Sequence, residues 1–166
     1  LFFNKLDKTD IKKPFSQWLN LNHNQPYSWE EVAEKILKLS SKIKSLIKEG
    51  DRCLLLSENR PEWLIADLAI MNAGGISVPV FTTYAANDYE YIIKDCTPSL
   101  IIVSNNSQFK KLKKFIENKK VISFDELESK SIIIKKIYKE NLEKKINKNL
   151  KRSMAACIIY TSGTSG

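Results

Sequence analysis

Histidine is almost missing from this chain. There is one, His23, among 166 residues. It sits in "NLNHNQP" with no acid or nucleophile pattern beside it, so it reads as a plain loop residue and not a general base. Cysteine is scarce as well: Cys53, Cys96 and Cys157 are far apart, odd in number and form no C-x-x-C pair. That spacing excludes a disulfide framework and a paired-cysteine zinc site, and it suits a reducing, cytoplasmic setting. Cys53 and Cys157 lie within apolar runs and are expected as small core residues. No apolar run approaches the roughly 20 residues that span a bilayer. The opening "LFFNKLDKTD" has neither the apolar core nor the cleavage site of a secretory signal. It begins with Leu, so a truncated N-terminus is expected.

What is plentiful is lysine. The formal net charge is +8, and it is segmental. Residues 110–152 carry 15 basic and 6 acidic residues, a balance of +9; the remaining 12 basic and 13 acidic residues leave −1. The segment holds a single Arg, the residue that base readout favours. A solvated lysine-rich face is the expectation, with no nucleic acid as partner. Peripheral contact with an anionic membrane is the alternative use of such a face.

Residues 1–27 form a weakly periodic leading segment. Ser28 followed by Glu31 makes a capping box. Trp29, Val32, Ile36, Leu39, Ile43 and Leu46 then form one helical stripe, with Gly50 expected as its stop. A strand is expected over 52–57. A largely buried helix follows from Pro61, placed where a first-turn proline is tolerated, to Gly74-Gly75. A strand over 76–81 precedes a helix over 87–96, capped near Asn87 or Asp88. A strand over 99–104 precedes a helix that places Phe109, Leu112, Phe115 and Ile116 on one face. A strand over 121–124 comes next. The pattern over 125–152 is poor. "AACIIY" (155–160) is expected as the last strand.

Strands alternating with helices every 20–25 residues imply an α/β fold: a largely parallel sheet with helices on both faces. The near-continuous apolar strands agree. Such sheets bind ligands at the carboxyl ends of their strands. Behind the last strand stands "YTSGTSG", which contains two of the chain's five glycines. Thr161, Ser162, Thr164 and Ser165 offer hydroxyls. Gly163 and Gly166 let backbone N–H groups turn toward one centre. Convergent donors without carboxylates suit a phosphate chain. The common G-x-x-x-x-G-K-[ST] pattern is absent. On these residues alone a flexible linker remains open.

"IIYTSGTSG" resembles the phosphate-binding loop of the adenylate-forming superfamily, which includes acyl-CoA synthetases, luciferases and peptide-synthetase adenylation domains. The family pattern is Tyr-Thr-Ser-Gly-Thr-(Thr/Ser)-Gly, a variable residue, then Pro-Lys-Gly; Tyr160 to Gly166 match its first seven positions. "GDRCLLLSENRPEWLIADLAIMNAGGISVPVFTTYAANDYEYIIKDCTPSLIIVS" is similar to the upstream region of long-chain fatty acyl-CoA synthetases, and "PYSWEEV" resembles the lead into the family's first helix. The resemblance covers about residues 15–104 and 153–166.

The resemblance implies an AMP-binding domain of which residues 28–166 are the N-terminal portion, with the C-terminal domain absent. It implies ATP, Mg²⁺ and coenzyme A as cofactor and co-substrates, and a fatty acid as partner. Thr161, Ser162, Gly163, Thr164, Ser165 and Gly166 would then cradle the outer phosphates. No catalytic residue is expected within these 166, and the metal ligands are unknown. The loop's Lys and the family's downstream motifs are missing, so this piece alone is expected to be inactive. A ligase for a short, aromatic or amino acid is the alternative within the superfamily, and a basic nucleic-acid-binding domain the alternative outside it. Arg60 is expected to serve its helix start, with a phosphate contact as the sharper alternative. Trp63 reads as core packing, and Tyr84, Tyr89 and Tyr91 as surface or half-buried aromatics.

Overall fold

A capping box starts the first helix in the computed structural model, which describes residues 10, 12–16, 26–125, 146–147 and 149–161. The Ser28 hydroxyl accepts the Glu31 N–H at 3.2 Å, and the Glu31 carboxylate accepts the Ser28 N–H at 2.8 Å. These bonds satisfy donors that a helix N-terminus leaves free. Helix α1 (Trp29–Lys44) follows, burying Val32, Ile36, Leu39 and Ile43 along one stripe. Ahead of it, β1 (Pro14–Ser16) and β2 (Tyr27–Ser28) pair antiparallel. Gly50 is not the helix stop. The helix ends at Lys44 with a right-handed Ser45 cap, and Gly50, at φ +81°, serves the turn into the next strand.

Next come β3 (Arg52–Leu56), α2 (Pro61–Asn72), β4 (Ile76–Val80), α3 (Ala86–Cys96), β5 (Leu100–Val103), α4 (Asn106–Leu112) with a 3₁₀ turn over Lys113–Phe115, and β6 (Lys120–Ser123). Pro61 opens α2 as expected, and Gly74, at φ +88°, lies just past its end. α3 is capped differently from the expectation. Its N-cap is Ala85, and Asp88 sits in the first turn, where its carboxylate accepts the Ala85 N–H at 2.9 Å.

The four long strands are parallel in the order β4-β3-β5-β6. Alternation along each strand feeds two layers. Cys53, Leu55, Leu100, Ile102 and Ile122 meet α1 and α2 on one face, with Trp63 packed at the margin. Leu54, Leu56, Val78, Val80, Ile101 and Val103 meet α3 and the α4 region on the other. Both faces are covered, which is why the strands are apolar throughout. Tyr89 is part of this core, at 1% exposure, and is not the surface or half-buried residue expected; Tyr91 is 64% exposed.

The expected last strand is only partly realised. Segment 155–160 meets β4 at one parallel bridge, Ser77 to Cys157. Ser77 N–H donates to Ala156 O at 3.0 Å, and Ile158 N–H donates to Ser77 O at 2.8 Å. Residues 126–145 and 148 lie outside the described residues, as does His23. No described helix is long and apolar enough to cross a membrane.

Candidate functional site

In a parallel sheet all strands end on one edge. Here the chain runs from β3 to β4 on one side, then crosses over to β5 and β6 on the other. That reversal falls between β3 and β5, and the carboxyl ends of strands at such a switch point are where open α/β sheets hold ligands. Segment 155–160 runs parallel to β4, so Tyr160 and Thr161 leave the sheet at this same edge.

Thr161 is exposed there. It is the one expected phosphate-cradling residue within the described set; Ser162, Gly163, Thr164, Ser165 and Gly166 lie outside it. Tyr160, just before them, is tightly held. Its hydroxyl donates to Asp95 Oδ2 at 2.5 Å. Its ring meets Tyr91 edge-on, 6.2 Å between centroids. Its carbonyl accepts the Tyr84 hydroxyl at 3.1 Å. Burial first, and the Asp95 carboxylate second, push the Tyr160 phenol above its ordinary pKa.

The residues that follow β3 and β5 at this edge are polar. Glu58, past the end of β3, accepts the Gln108 side-chain amide at 2.6 Å and the Asn105 amide at 3.4 Å. Asn105 also caps α4, accepting the Gln108 N–H at 3.0 Å. Burial pushes the Glu58 carboxyl up, but the donors around it outweigh burial and hold it below the usual range. The buried hydroxyls of Ser104 and Ser123 lie at the ends of β5 and β6.

Arg60 faces protein carboxylates. Nε donates to Glu62 Oε2 at 2.8 Å, and Nη1 and Nη2 reach Asp125 at 3.3 and 3.4 Å. It serves the start of α2, as its sequence position suggested. Among the described residues no group of three or more His, Cys, Asp or Glu could hold a metal ion. An open groove lined by Met71, Gly75, Leu150, Lys151, Arg152 and Met154 lies beside the amino end of β4, away from this edge.

Sequence reading pointed to residues 161–166 but did not single out Asp95, Glu58, Asn105 or Gln108. Asn105 was legible as a helix cap in "SNNSQ". The others come together only through strand order.

Against known families, the chain matches the model described as "AMP-binding enzyme" over residues 4–166. The chain belongs to the AMP-binding enzyme family. The AMP-binding match runs through the lysine-rich stretch, which the sequence resemblance had left out. Among curated AMP-binding relatives, a long-chain-fatty-acid–CoA ligase of Gallus gallus is 26% identical over 171 aligned residues, 93% of this chain and 22% of that protein. Long chain acyl-CoA synthetase 3 of Arabidopsis thaliana is 28% identical over 84% of this chain and 24% of its own length. The chain therefore spans about a quarter of the curated relatives it matches. Among solved structures, a fatty acyl-adenylate ligase of L. pneumophila, in complex with acyl adenylate and pyrophosphate, superposes with a TM-score of 0.73. It is 20% identical and covers 98% of this chain and 27% of that one, a likeness of fold.

Proposed function

We propose that this chain is the N-terminal portion of an ATP-dependent long-chain fatty acid–CoA ligase. The observation that carries the reading is that Tyr160 and Thr161, the first two residues of the Tyr-Thr-Ser-Gly-Thr-Ser-Gly sequence, leave the carboxyl edge of a doubly wound sheet. In the first step a carboxylate oxygen of the fatty acid attacks the α-phosphorus of ATP. The bond from that phosphorus to the bridging oxygen breaks, giving acyl-AMP and pyrophosphate. In the second step the coenzyme A sulfur attacks the acyl carbonyl, AMP departs with the former carboxylate oxygen, and the thiol proton is lost. Both steps transfer groups between anions, so the work of this chain is positioning and charge stabilisation.

In that scheme Thr161, Ser162, Gly163, Thr164, Ser165 and Gly166 hold the outer phosphates and orient the departing pyrophosphate. Bound Mg²⁺ would offset phosphate charge; among the described residues no group of three or more His, Cys, Asp or Glu is placed to hold it. Residues 1–27 are the leading segment and 28–166 the start of the AMP-binding domain. The parent works in the cytoplasm, with peripheral membrane contact where its substrate dissolves.

The test is pyrophosphate release with ATP, Mg²⁺ and palmitate. The full-length parent should release pyrophosphate and accumulate acyl-AMP when coenzyme A is withheld. The 166-residue chain alone should do neither. Turnover of aromatic or short acids with none on any fatty acid would transfer the parent to the alternative substrate class.

A further inference from the structure

A glycine- and hydroxyl-rich loop has little side-chain mass with which to fix itself, yet phosphate donors must sit within about 0.5 Å of their working positions. The anchor has to come from the residue where the loop begins. Among the described residues, the backbone of 155–160 bonds to β4 only through the bridge between Ser77 and Cys157, and Cys157 lies three residues before Tyr160. From there on, side chains hold the strand.

Tyr160 is gripped in three ways. Asp95 takes its hydroxyl, Tyr91 meets its ring, and the Tyr84 hydroxyl takes its carbonyl. The third contact bears directly on the loop. The Tyr160 carbonyl and the Thr161 N–H belong to one planar trans peptide, so they point in opposite directions. Fixing the carbonyl on Tyr84 therefore aims the Thr161 N–H away from Tyr84.

The clamp is itself well mounted. Tyr84 lies against the rings of Phe81 and Tyr89, at 5.3 and 6.1 Å. Tyr89 is buried and donates its hydroxyl to Phe81 O at 2.8 Å. Asp95 sits one residue before Cys96, which together with Ile92 and Ile93 sinks α3 into the core.

We infer that Tyr84 and Asp95 are positioning residues for ATP, clamping Tyr160 so that the phosphate loop begins at a fixed place and with a fixed orientation. The inference rests on the proposed function above. It makes α3, 65 residues upstream of Tyr160, part of the ATP site without touching ATP.

The experiment uses the full-length parent, with equilibrium binding of Mg·ATP and steady-state adenylation measured side by side. Tyr84→Phe and Asp95→Ala should each raise the dissociation constant and KM for ATP by about tenfold, with the fatty-acid KM unchanged within about twofold. Asp95→Asn keeps an acceptor for the phenol and should restore most of the affinity. The double variant Asp95→Ala with Tyr160→Phe should be no worse than the poorer single one, since both remove one bond. Tyr84→Phe keeps the ring and its packing, so it carries the test where Asp95→Ala fails to fold. ATP affinity unchanged in Tyr84→Phe, or ATP and acid constants rising together, would overturn the clamp. A wild-type parent that binds ATP but activates no fatty acid would overturn the substrate reading and leave the binding comparison to decide the clamp. A parent that binds no ATP would overturn both.

Discussion

At the residue scale, the three thiols differ because their burial differs. Cys53 lies inside β3 with no exposed surface, and burial, helped by the Asp51 charge, pushes its pKa up to about 12. Burial also raises Cys96, outweighing the nearby Arg52 charge that would lower it. Cys157 is exposed. An apolar neighbourhood in sequence had suggested that Cys157 would share the core with Cys53. It does not, because 155–160 is an edge segment. Ile158 and Tyr160 turn toward the α3 side, leaving Cys157 and Ile159 on the uncovered one. Reaction with a disulfide reagent near pH 8 should thus give one fast equivalent in the folded chain, lost in Cys157→Ser. Three fast equivalents without denaturant would refute the burial of Cys53 and Cys96.

At the scale of elements, a polar knot joins β2, α2 and the end of β6. The Tyr27 hydroxyl donates to Glu62 Oε1 at 2.9 Å, while Arg60 bridges Glu62 and Asp125. Burial raises the Glu62 carboxyl, but Arg60 and Tyr27 outweigh it and depress its pKa. A depressed carboxylate adds stability that is fully present above the unfolded value, about 4.3, and lost as pH falls through the lower folded value. Tyr27 has the opposite sign. Burial, then its bond to Glu62, pushes it up to about 12. Its contribution is present below about 10 and lost as pH rises through the folded value. Chemical denaturation of the chain should therefore show stability falling at both ends. Glu62→Gln should cost about 1 kcal/mol at neutral pH, the pair being partly exposed, and should flatten the acid limb. An unchanged acid limb in Glu62→Gln would remove the knot as its cause.

Elements also differ in how legible they were. α1 could be read because a capping box and a single apolar stripe are local signals. Gly50 misled because a left-handed glycine serves turns as readily as helix ends. The α3 cap was placed two or three residues late because Asp88 bonds back to the Ala85 N–H from the first turn, so an acidic residue there imitates a cap. The last strand shrank to one bridge because pairing depends on partners, not on the apolar run alone.

At the scale of the whole molecule, the uncovered margin matters most. The outer edge of 155–160 has no strand partner among the described residues, and Ile159 is 65% exposed beside it. Unpaired apolar edges invite pairing with another chain. The isolated chain should therefore associate as its concentration rises, and Ile159→Lys should reduce this in sedimentation velocity. A chain that stays monomeric at high concentration would contradict it. The lysine-rich stretch, by contrast, is partly engaged within the fold. Lys111 Nζ donates to Thr82 O at 2.7 Å and Lys120 Nζ to Leu46 O at 2.8 Å, while Lys110, Lys113, Lys114 and Lys119 are exposed.

Local periodicity and turn chemistry were enough to determine the alternation of strands and helices and both covered faces of the sheet. Those signals act over a few residues, where spacing and side-chain volume decide. Strand order did not follow from them. Only the fold put β3 between β4 and β5, and so brought Glu58 against Asn105 and Gln108. Only the fold set Asp95 against Tyr160, because contacts between residues so far apart in the chain are fixed by how layers pack, not by what any short stretch prefers.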